Sequence, residues 1–378
     1  MTVRFLHTSD WQLGMTRAYL SEQGQSRYTD DQFEAVRSLA RLASERACAF
    51  VVVAGDVFDS IRPTRQIVNK AIDALASFRV PVLLLPGNHD ADTPAGIWAT
   101  TELVDRLPAG VTVVRDTRPI ALAGGAAEVI GAPWPSRKPD ADLLSKALAD
   151  LEPPSPGVVR IAVGHGGVDS LSPDRLDPAL ISTSALKRAI AERRVSYVAL
   201  GDRHSATEVA PAIWYSGSPV GTDYGEVASN RALIVDLDGE SASVDTVEVG
   251  SWRFLIQHFD LMGRESVQLV ERFLEGLEQK ERTVVKLGLV GTLGLAEREV
   301  LEGAIERARD LLAGLQLSAR RSDLVVVADD EDLSSLNLSG FARDAMAELA
   351  SHAEAKSEGA DVAQDALMLL ARLAGRLR

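Results

Sequence analysis

The chain has almost no cysteine: Cys48 is the only one among 378 residues. A single thiol forms no internal disulfide and cannot build a zinc site of several thiolates, so both kinds of site are excluded. No apolar run approaches the roughly 20 residues that a membrane-spanning helix needs. No apolar signal region precedes the first strand either. The sequence therefore predicts a cytoplasmic protein that has no membrane partner.

Basic residues are also in short supply. The chain has 40 Lys and Arg against 54 Asp and Glu, which gives a formal net charge of −14. Proteins that bind nucleic acid through their own charge usually carry a basic stripe, and this sequence shows none. Some acidic excess is expected at a metal site, because divalent ions offset local carboxylates. The charge weakens the case for strong DNA binding by this chain alone.

What the sequence does contain is one arrangement that occurs five times, an apolar strand followed by a small polar cluster. The clearest example is the run at residues 80–86, which leads into Gly87, Asn88, His89 and Asp90. Because open α/β sheets keep their chemistry at the carboxyl ends of strands, we expect the five clusters to converge. A pair of metal ions is the simplest group that needs so many Asp, Asn and His side chains. The other four clusters are residues 10–14, 55–59, 164–167 and 201–204.

The spacing of apolar residues predicts an α/β protein. Amphipathic helices are expected at about residues 30–47 and 64–78, each between two apolar strands. This order predicts a parallel sheet, and the short strands that follow predict a second sheet stacked on the first. We expect three parts: a catalytic domain, a small α/β cap, and C-terminal helices. Their predicted bounds are 1–250, 251–335 and 336–378.

The donor types predict a hydrolase of phosphate esters. Two ions a few ångströms apart need a shared ligand, and Asp56 is central enough in the sequence to be that carboxylate. Such a pair generates a hydroxide that attacks phosphorus and holds the oxygens of an in-line displacement. A nearby imidazole that is not a ligand can protonate the leaving oxygen.

The five clusters resemble the five motifs of calcineurin-like metallophosphoesterases. Within that superfamily, the sequence resembles the SbcD-type DNA-repair exonuclease subunits at residues 7–11, 55–59 and 215–219. The resemblance covers residues 1–240. It implies a four-layer α/β/β/α metallophosphoesterase sandwich, followed here by the small C-terminal α/β cap and the terminal helices.

The resemblance also implies roles for individual residues. Each of two divalent ions, Mn²⁺ or alternatively Mg²⁺, is expected to have four protein ligands, one of them shared. The ligands of the first ion are Asp10, Gln12, Asp56 and His204. The ligands of the second ion are Asp56, Asn88, His165 and Asp202. His89 is expected to be the general acid, oriented by a carboxylate such as Asp59 or Asp90.

Two positions depart from the family pattern, which has His where this chain has Gln12 and Asp202. A glutamine can ligate only through a neutral carbonyl, so we expect the first ion to be held loosely or through a water. Gln12 could equally lie behind the ligands or face solvent. Asp202 could ligate, or it could instead pair with Arg203 or another cation.

The leading functional hypothesis is a two-metal phosphodiesterase that acts on DNA. The resemblance implies a homodimer and a partner, an SbcC-like SMC-type ATPase, bound through helices at about 340–377. One alternative substrate class is nucleotides or other small phosphodiesters. Another alternative is a catalytically weakened scaffold for the ATPase. Exonuclease or endonuclease action, polarity and strand preference stay open.

Overall fold

The computed structural model describes residues 2–239, 241–326, 340–354 and 359–375. The chain divides into two compact units. The first consists of Met1–Arg17 and Ser26–Trp252, and the second of Ala18–Gln25 and Arg253–Arg378. The predicted boundary between the cap and the terminal helices, at residue 335, lies outside the described residues.

The strands of the first unit form two sheets. In chain order they are β1 (Val3–Thr8), β2 (Phe50–Val53), β3 (Val82–Leu84), β4 (Val111–Val113), β5 (Ile120–Leu122), β6 (Ala127–Gly131), β7 (Val159–His165), β8 (Tyr197–Gly201), β9 (Thr207–Ala210), β10 (Ile213–Tyr215), β11 (Arg231–Leu237) and β12 (Ala242–Glu248). Within the described residues the first sheet has the order β12-β11-β1-β2-β3-β4. The second has the order β5-β6-β7-β8-β10-β9. The strands β1 to β4 are parallel, as are β6 to β8, so their carboxyl ends share one edge of each sheet.

Helices cover the outer faces of both sheets. They are α1 (Glu22–Glu45), α2 (Arg65–Leu75), α3 (Thr101–Val104), α4 (Leu143–Ala149) and α5 (Thr183–Ala191). In β1 the side chain of Phe5 packs between the sheets, whereas Leu6 packs against the helices, as alternation along a strand requires. The inter-sheet core takes Val52 from the first sheet and Ile161 from the second. The predicted four-layer α/β/β/α sandwich is confirmed.

The second unit has its own sheet and core. Its strands are β13 (Arg253–Met262), β14 (Thr283–Leu293), β15 (Gly314–Leu317) and β16 (Asp323–Val326), and its helices are α6 (Gly263–Glu275), α7 (Leu295–Leu311), α8 (Phe341–Glu354) and α9 (Ala360–Gly375). The central strand β14 is parallel to β13, β15 and β16. Leucine and valine side chains of β14, α6 and α7 pack together, and Met346 and Leu367 join α8 and α9 to Leu295. Among the described residues, no helix combines the length and apolar character of a membrane span.

The first helix begins earlier than the apolar spacing predicts. It starts at Glu22 rather than near residue 30, so the predicted start of this helix is wrong. The physical reason lies at Ser21, whose hydroxyl accepts a hydrogen bond from the backbone N–H of Gly24 (3.0 Å). The N–H of Ser21 in turn donates to the carbonyl of Ala313 (2.9 Å). This N-cap stabilises a first turn that has no apolar face.

Replacement of Leu83 tests the inter-sheet core. Its side chain is 3% exposed and packs between the two sheets. We expect Leu83→Ala to lower the free energy of unfolding of the first unit by about 2–5 kcal/mol, because a cavity remains. The matched control is Leu176→Ala, at a leucine that is 92% exposed, where we expect a change within about 0.5 kcal/mol. Urea unfolding followed by circular dichroism measures both, and equal losses would contradict this description of the core.

Candidate metal centre

The loops that follow β1 and β2 are hydrogen-bonded to each other beyond the end of the ladder. The backbone N–H of Asp10 donates to the carbonyl of Gly55 (3.0 Å). Further along, the N–H of Gln12 donates to the carbonyl of Asp56 (3.0 Å), and that of Leu13 to Val57 (2.9 Å). These bonds keep the two loops in register. The side chains of Asp10, Gln12 and Asp56 are therefore carried by one rigid backbone unit.

Four of the predicted ligands have a left-handed backbone. The φ angles are +53° at Asp10, +49° at Gln12, +54° at Asp56 and +96° at Asp202. Residues with a Cβ atom rarely adopt this conformation, which costs about 1–3 kcal/mol each. Strain that recurs at four predicted ligands indicates that the fold holds them against their local preference. Such concentration of strain is typical of functional sites.

Asp56 lies at the centre of the cluster and is 1% exposed. One carboxylate oxygen, Oδ2, accepts a hydrogen bond from Gln12 Nε2 (2.8 Å). The other, Oδ1, accepts from the backbone N–H of His89 (2.9 Å) and lies 3.5 Å from His165 Nε2. Burial raises the pKa of Asp56, but His165 and His89 outweigh it and hold that pKa below its usual range. Asp56 is therefore ionised, and it contacts residues from three of the other polar clusters.

Asp10 and His204 form the second part of the cluster. Both carboxylate oxygens of Asp10 lie 3.1 Å from the backbone N–H of Asp202, and Oδ1 lies 3.7 Å from His204 Nε2. The other ring nitrogen, Nδ1, lies 3.1 Å from Glu226 Oε1. Burial lowers the pKa of His204, but the hydrogen bond to Glu226 and the charge of Asp10 raise it to about 9. A carboxylate behind an imidazole is the usual way of orienting a metal-ligating histidine.

The imidazole of His165 is completely buried and its orientation is fixed. Its Nδ1 donates to the carbonyl of Ala54 (2.8 Å), because a carbonyl oxygen can only accept. The second nitrogen, Nε2, faces the cluster, 2.7 Å from the side-chain amide of Asn88 and 3.8 Å from Asp202 Oδ1. The carboxylates of Asp56, Asp10 and Asp202 raise the pKa of His165 well above its usual value, although burial opposes them. In the neutral ring, Nε2 carries the lone pair that a metal ion would accept.

Gln12 carries the one observation that tests directly whether a cation fits here. The side chain is 1% exposed, and its Oε1 has no hydrogen-bond donor among the described residues. A buried carbonyl oxygen without a partner is costly, and a cation is one group that would satisfy it. Since Gln12 Nε2 holds Asp56, Oε1 belongs to the same cluster. The donor set of carboxylates, amides and imidazoles fits a hard divalent ion.

His89 lies at the exposed side of the cluster, with 36% of its side chain accessible. Its Nδ1 donates to the backbone carbonyl of Asp59 (3.0 Å) and lies 3.6 Å from the carboxylate Oδ1 of the same residue. This contact fixes the proton on Nδ1 in the neutral ring and leaves Nε2 for proton exchange. Asp59 thus contacts His89 through both its main chain and its side chain.

Asp90 is placed differently from Asp59. Its carboxylate is fully buried and accepts hydrogen bonds from the backbone N–H groups of Gly87 (2.8 Å) and Phe58 (3.1 Å). Burial and the charge of Asp56 raise the pKa of Asp90 to about 7. The carboxylate ties the loop after β3 to the loop after β2, so its observed contacts position the backbone.

Close approach of the five loops depends on residues without a side chain. A Cβ atom on Gly55, whose φ is +95°, would lie 2.1 Å from Nδ1 of His165. A Cβ atom on Gly201 would lie 1.9 Å from the carbonyl oxygen of Ala54. Both distances are far below van der Waals contact. The glycines allow the strand ends of the two sheets to meet at His165.

The structure therefore brings together the side chains that the sequence singled out. Asp10, Asp56 and His165 have ligand atoms within 4.8 Å of one another, and all three residues are buried. Gln12 contacts Asp56, and Asn88 contacts His165. Asp202 Oδ1 lies 3.8 Å from His165 Nε2. His204 Nε2 lies 3.7 Å from Asp10 Oδ1. Asp202 is partly exposed, with 37% of its side chain accessible.

Sequence reasoning missed the groups that support these ligands. Glu226 and Thr222 form hydrogen bonds with Nδ1 of His204. The hydroxyl of Ser9 donates to Asp10 Oδ2 (2.5 Å) and lies 2.8 Å from the hydroxyl of Ser216. A serine that precedes a ligand in sequence could have been found from the motif. Glu226 lies far along the chain in a loop without a motif, so no sequence signal pointed to it.

Comparison with known proteins gives the family. A sequence profile described as calcineurin-like phosphoesterase matches residues 3–206. The chain belongs to this family. It is a metal-dependent hydrolase of phosphate esters by that membership.

Proteins similar in sequence include two nuclease components and one repair protein. The D component of the nuclease SbcCD of Bacillus subtilis is 27% identical over 290 residues, which are 68% of this chain and 72% of that one. The protein of the same name from Rhodobacter capsulatus is 24% identical and covers 64% of this chain and 68% of its own. The DNA double-strand break repair protein Mre11 of Archaeoglobus fulgidus is 32% identical over 91 residues, 23% of this chain and 19% of that one.

Metal binding should release protons. Without a metal the raised pKa of about 9 keeps His204 protonated at pH 7, and it must lose its proton to act as a ligand. We expect Mn²⁺ binding at pH 7 to release about one proton from His204. Since the proton competes with the metal below the raised pKa, the apparent affinity should rise as the pH rises towards 9.

Isothermal titration calorimetry in buffers of different ionisation enthalpy measures this release. His204→Gln should release about one proton fewer. The exposed His352 provides the control, because His352→Gln should match the wild type. A binding heat that is independent of the buffer would contradict the expectation.

Proposed function

We propose that the chain is a two-metal-dependent phosphodiesterase acting on DNA, the nuclease subunit of an SbcCD-like repair complex. The observation that carries the proposal is the convergence of Asp10, Asp56 and His165, with ligand atoms within 4.8 Å of one another. The similarity to two components of SbcCD nucleases supports DNA as the substrate. We propose Mn²⁺ as the metal, with Mg²⁺ as the alternative, and the cytoplasm as the location.

Asp56 is the residue best placed to be shared between two ions. Its two carboxylate oxygens face different neighbours, Oδ2 towards Gln12 and Oδ1 towards His165. We propose that Asp10, Gln12 and His204 complete one ligand set, and that Asn88, His165 and Asp202 complete the other. A bound pair of divalent ions would supply a water of lowered pKa and neutralise charge on the phosphoryl oxygens.

His89 is proposed as the general acid. Because its Nδ1 donates to the carbonyl of Asp59, Nε2 is the atom that can hand a proton to the leaving sugar oxygen. The Asp59 carboxylate, 3.6 Å from Nδ1, would stabilise the protonated ring before transfer. Asp90 would act through the backbone, by keeping the N–H of Phe58 and the turn at Gly87 in place.

The partners follow from the same resemblance. We propose that helices α8 and α9 bind an SbcC-like SMC-type ATPase and that two copies of the chain form a homodimer. The acidic net charge of −14 agrees with a protein whose grip on DNA comes partly from a partner. Both helices expose large apolar side chains, with Phe341 88%, Val362 71% and Leu369 58% accessible.

The activity test uses manganese-dependent cleavage of a linear duplex. We expect Asp56→Asn to abolish cleavage, because it removes the charge that both ions would share. We expect His89→Gln to lower kcat by about 10²–10⁴ while leaving Mn²⁺ binding intact, as loss of a general acid does. His258→Gln, at an exposed histidine of β13, is the matched control and should cleave at the wild-type rate.

Three outcomes of this assay separate the hypotheses. If the wild type cleaves the duplex and the two site variants fail, the proposal holds. If it cleaves bis(p-nitrophenyl) phosphate but no duplex, the substrate is a smaller phosphodiester. Inertness towards both substrates with Mn²⁺, Mg²⁺ and Zn²⁺, with and without the ATPase, would indicate a scaffold.

A further inference from the structure

The core between the two sheets changes from apolar to polar as β1 approaches the metal centre. Phe5 lies on the inter-sheet face of β1, is fully buried, and stacks on Phe50 with the ring centroids 5.2 Å apart. His7 comes two residues later, so alternation along the strand places it on the same face. Its side chain is fully buried as well. The inter-sheet face of β1 therefore presents an imidazole three residues before Asp10.

Both ring nitrogens of His7 contact β8, a strand of the second sheet. Nε2 lies 3.2 Å from the carbonyl oxygen of Leu200, and Nδ1 lies 3.2 Å from the hydroxyl oxygen of Tyr197. Because a carbonyl oxygen can only accept, Nε2 carries the proton of the neutral ring. Nδ1 then accepts a hydrogen bond from the hydroxyl of Tyr197. One side chain of the first sheet is thus hydrogen-bonded to β8 at two points.

Burial fixes the protonation states of this pair. It lowers the pKa of His7 to about 3, although the hydrogen bond to Leu200 opposes the change. It also raises the pKa of Tyr197 well above its usual value, and the charge of Glu208 adds to that rise. The imidazole is therefore neutral and the phenol keeps its proton at physiological pH. Each hydrogen bond consequently has a single direction.

An imidazole is an unfavourable group in a core of apolar side chains. A buried polar group is destabilising unless hydrogen bonds replace its hydration, whereas an apolar side chain of similar size would pack between the sheets without that requirement. What the imidazole adds is geometry. A hydrogen bond restricts the distance and the direction of its partner, and apolar packing restricts them less. Two such bonds hold β1 and β8 in one relative position.

The spacing of the two sheets determines whether the predicted ligands can meet. Asp10 follows a strand of the first sheet, whereas His165 and Asp202 lie at the ends of strands of the second. Each of the two proposed ions takes ligands from both sheets. Leu200, the partner of His7, lies two residues before Asp202. The backbone N–H of Asp202 in turn lies 3.1 Å from both carboxylate oxygens of Asp10.

We propose that His7 and Tyr197 form an inter-sheet spacer, a positioning pair that sets the distance between the metal ligands of the two sheets. The proposal rests on the proposed function and names positioning residues for it. Neither side chain is among the proposed ligands, and both act through β8, which leads into Asp202 and His204. Loss of the pair would leave each ligand on its own sheet but would loosen one group of ligands relative to the other.

Binding of Mn²⁺ to the chain tests the spacer without cleavage. Tyr197→Phe removes only a hydroxyl, and His7→Leu removes both hydrogen bonds. We expect each variant to bind Mn²⁺ about tenfold more weakly in isothermal titration calorimetry, as is typical when a group that supports metal ligands is lost. We also expect weaker magnetic coupling between the two bound ions in the electron paramagnetic resonance spectrum, because the coupling depends on their separation. His7→Gln retains a donor and an acceptor and should keep the wild-type affinity and coupling.

Leu83→Ala is the matched control for stability. Leu83 packs in the same inter-sheet core, but its side chain forms no hydrogen bonds. Its truncation should destabilise the first unit and leave Mn²⁺ affinity and magnetic coupling as they are in the wild type. If Leu83→Ala weakened Mn²⁺ binding as much as Tyr197→Phe does, the pair would have a role in stability alone, and the spacer would be overturned.

Steady-state cleavage of a duplex gives a second measurement. With saturating Mn²⁺, Tyr197→Phe should lower kcat and leave KM for the duplex near the wild-type value, because the pair acts on the metal ligands and not on the DNA. Wild-type affinity, coupling and kcat in both Tyr197→Phe and His7→Leu would overturn the spacer alone. A wild type that binds a single Mn²⁺ would overturn the proposed two-metal function, and the spacer with it.

Discussion

The burial of the Asp56 carboxylate is the constraint on which the rest of the centre depends. A carboxylate that is 1% exposed loses its hydration, which costs several kcal/mol unless charge and hydrogen bonds replace it. Gln12, His89 and His165 supply part of that replacement from three different loops. The unpaired Oε1 of Gln12 shows that hydrogen bonds among the described residues leave this polar cluster incomplete. A divalent cation would satisfy both the carboxylate and the amide oxygen.

The sandwich supplies the rigidity that such a cluster requires. Parallel strands β1, β2 and β3 deliver three of the five loops, and β7 and β8 deliver the other two from the second sheet. The left-handed backbone at Asp10 and Asp56 costs free energy that the buried apolar layers on both sides of the sheets must offset. Gly55 also belongs to this rigid arrangement, because a Cβ atom at that position would overlap His165.

Much of this arrangement was predictable, because the spacing of apolar residues and the polar residues that follow an apolar run can be read from short stretches of sequence. An apolar run followed by Gly and Asp marks a strand end, and the alternation of strands and helices implies a parallel sheet. The roles of Glu226 and Asp90 were not predictable, because one depends on a distant loop and the other on backbone groups brought together by folding.

We propose that Asp56 is shared by two divalent ions. The most direct measurement is a crystal structure of the wild-type chain grown with Mn²⁺, with anomalous diffraction data collected at the manganese edge. We predict two anomalous peaks about 3.5–4 Å apart, both within coordination distance of the Asp56 carboxylate, one beside His204 and the other beside His165. A single peak, or two peaks of which one lies away from Asp56, would contradict the account.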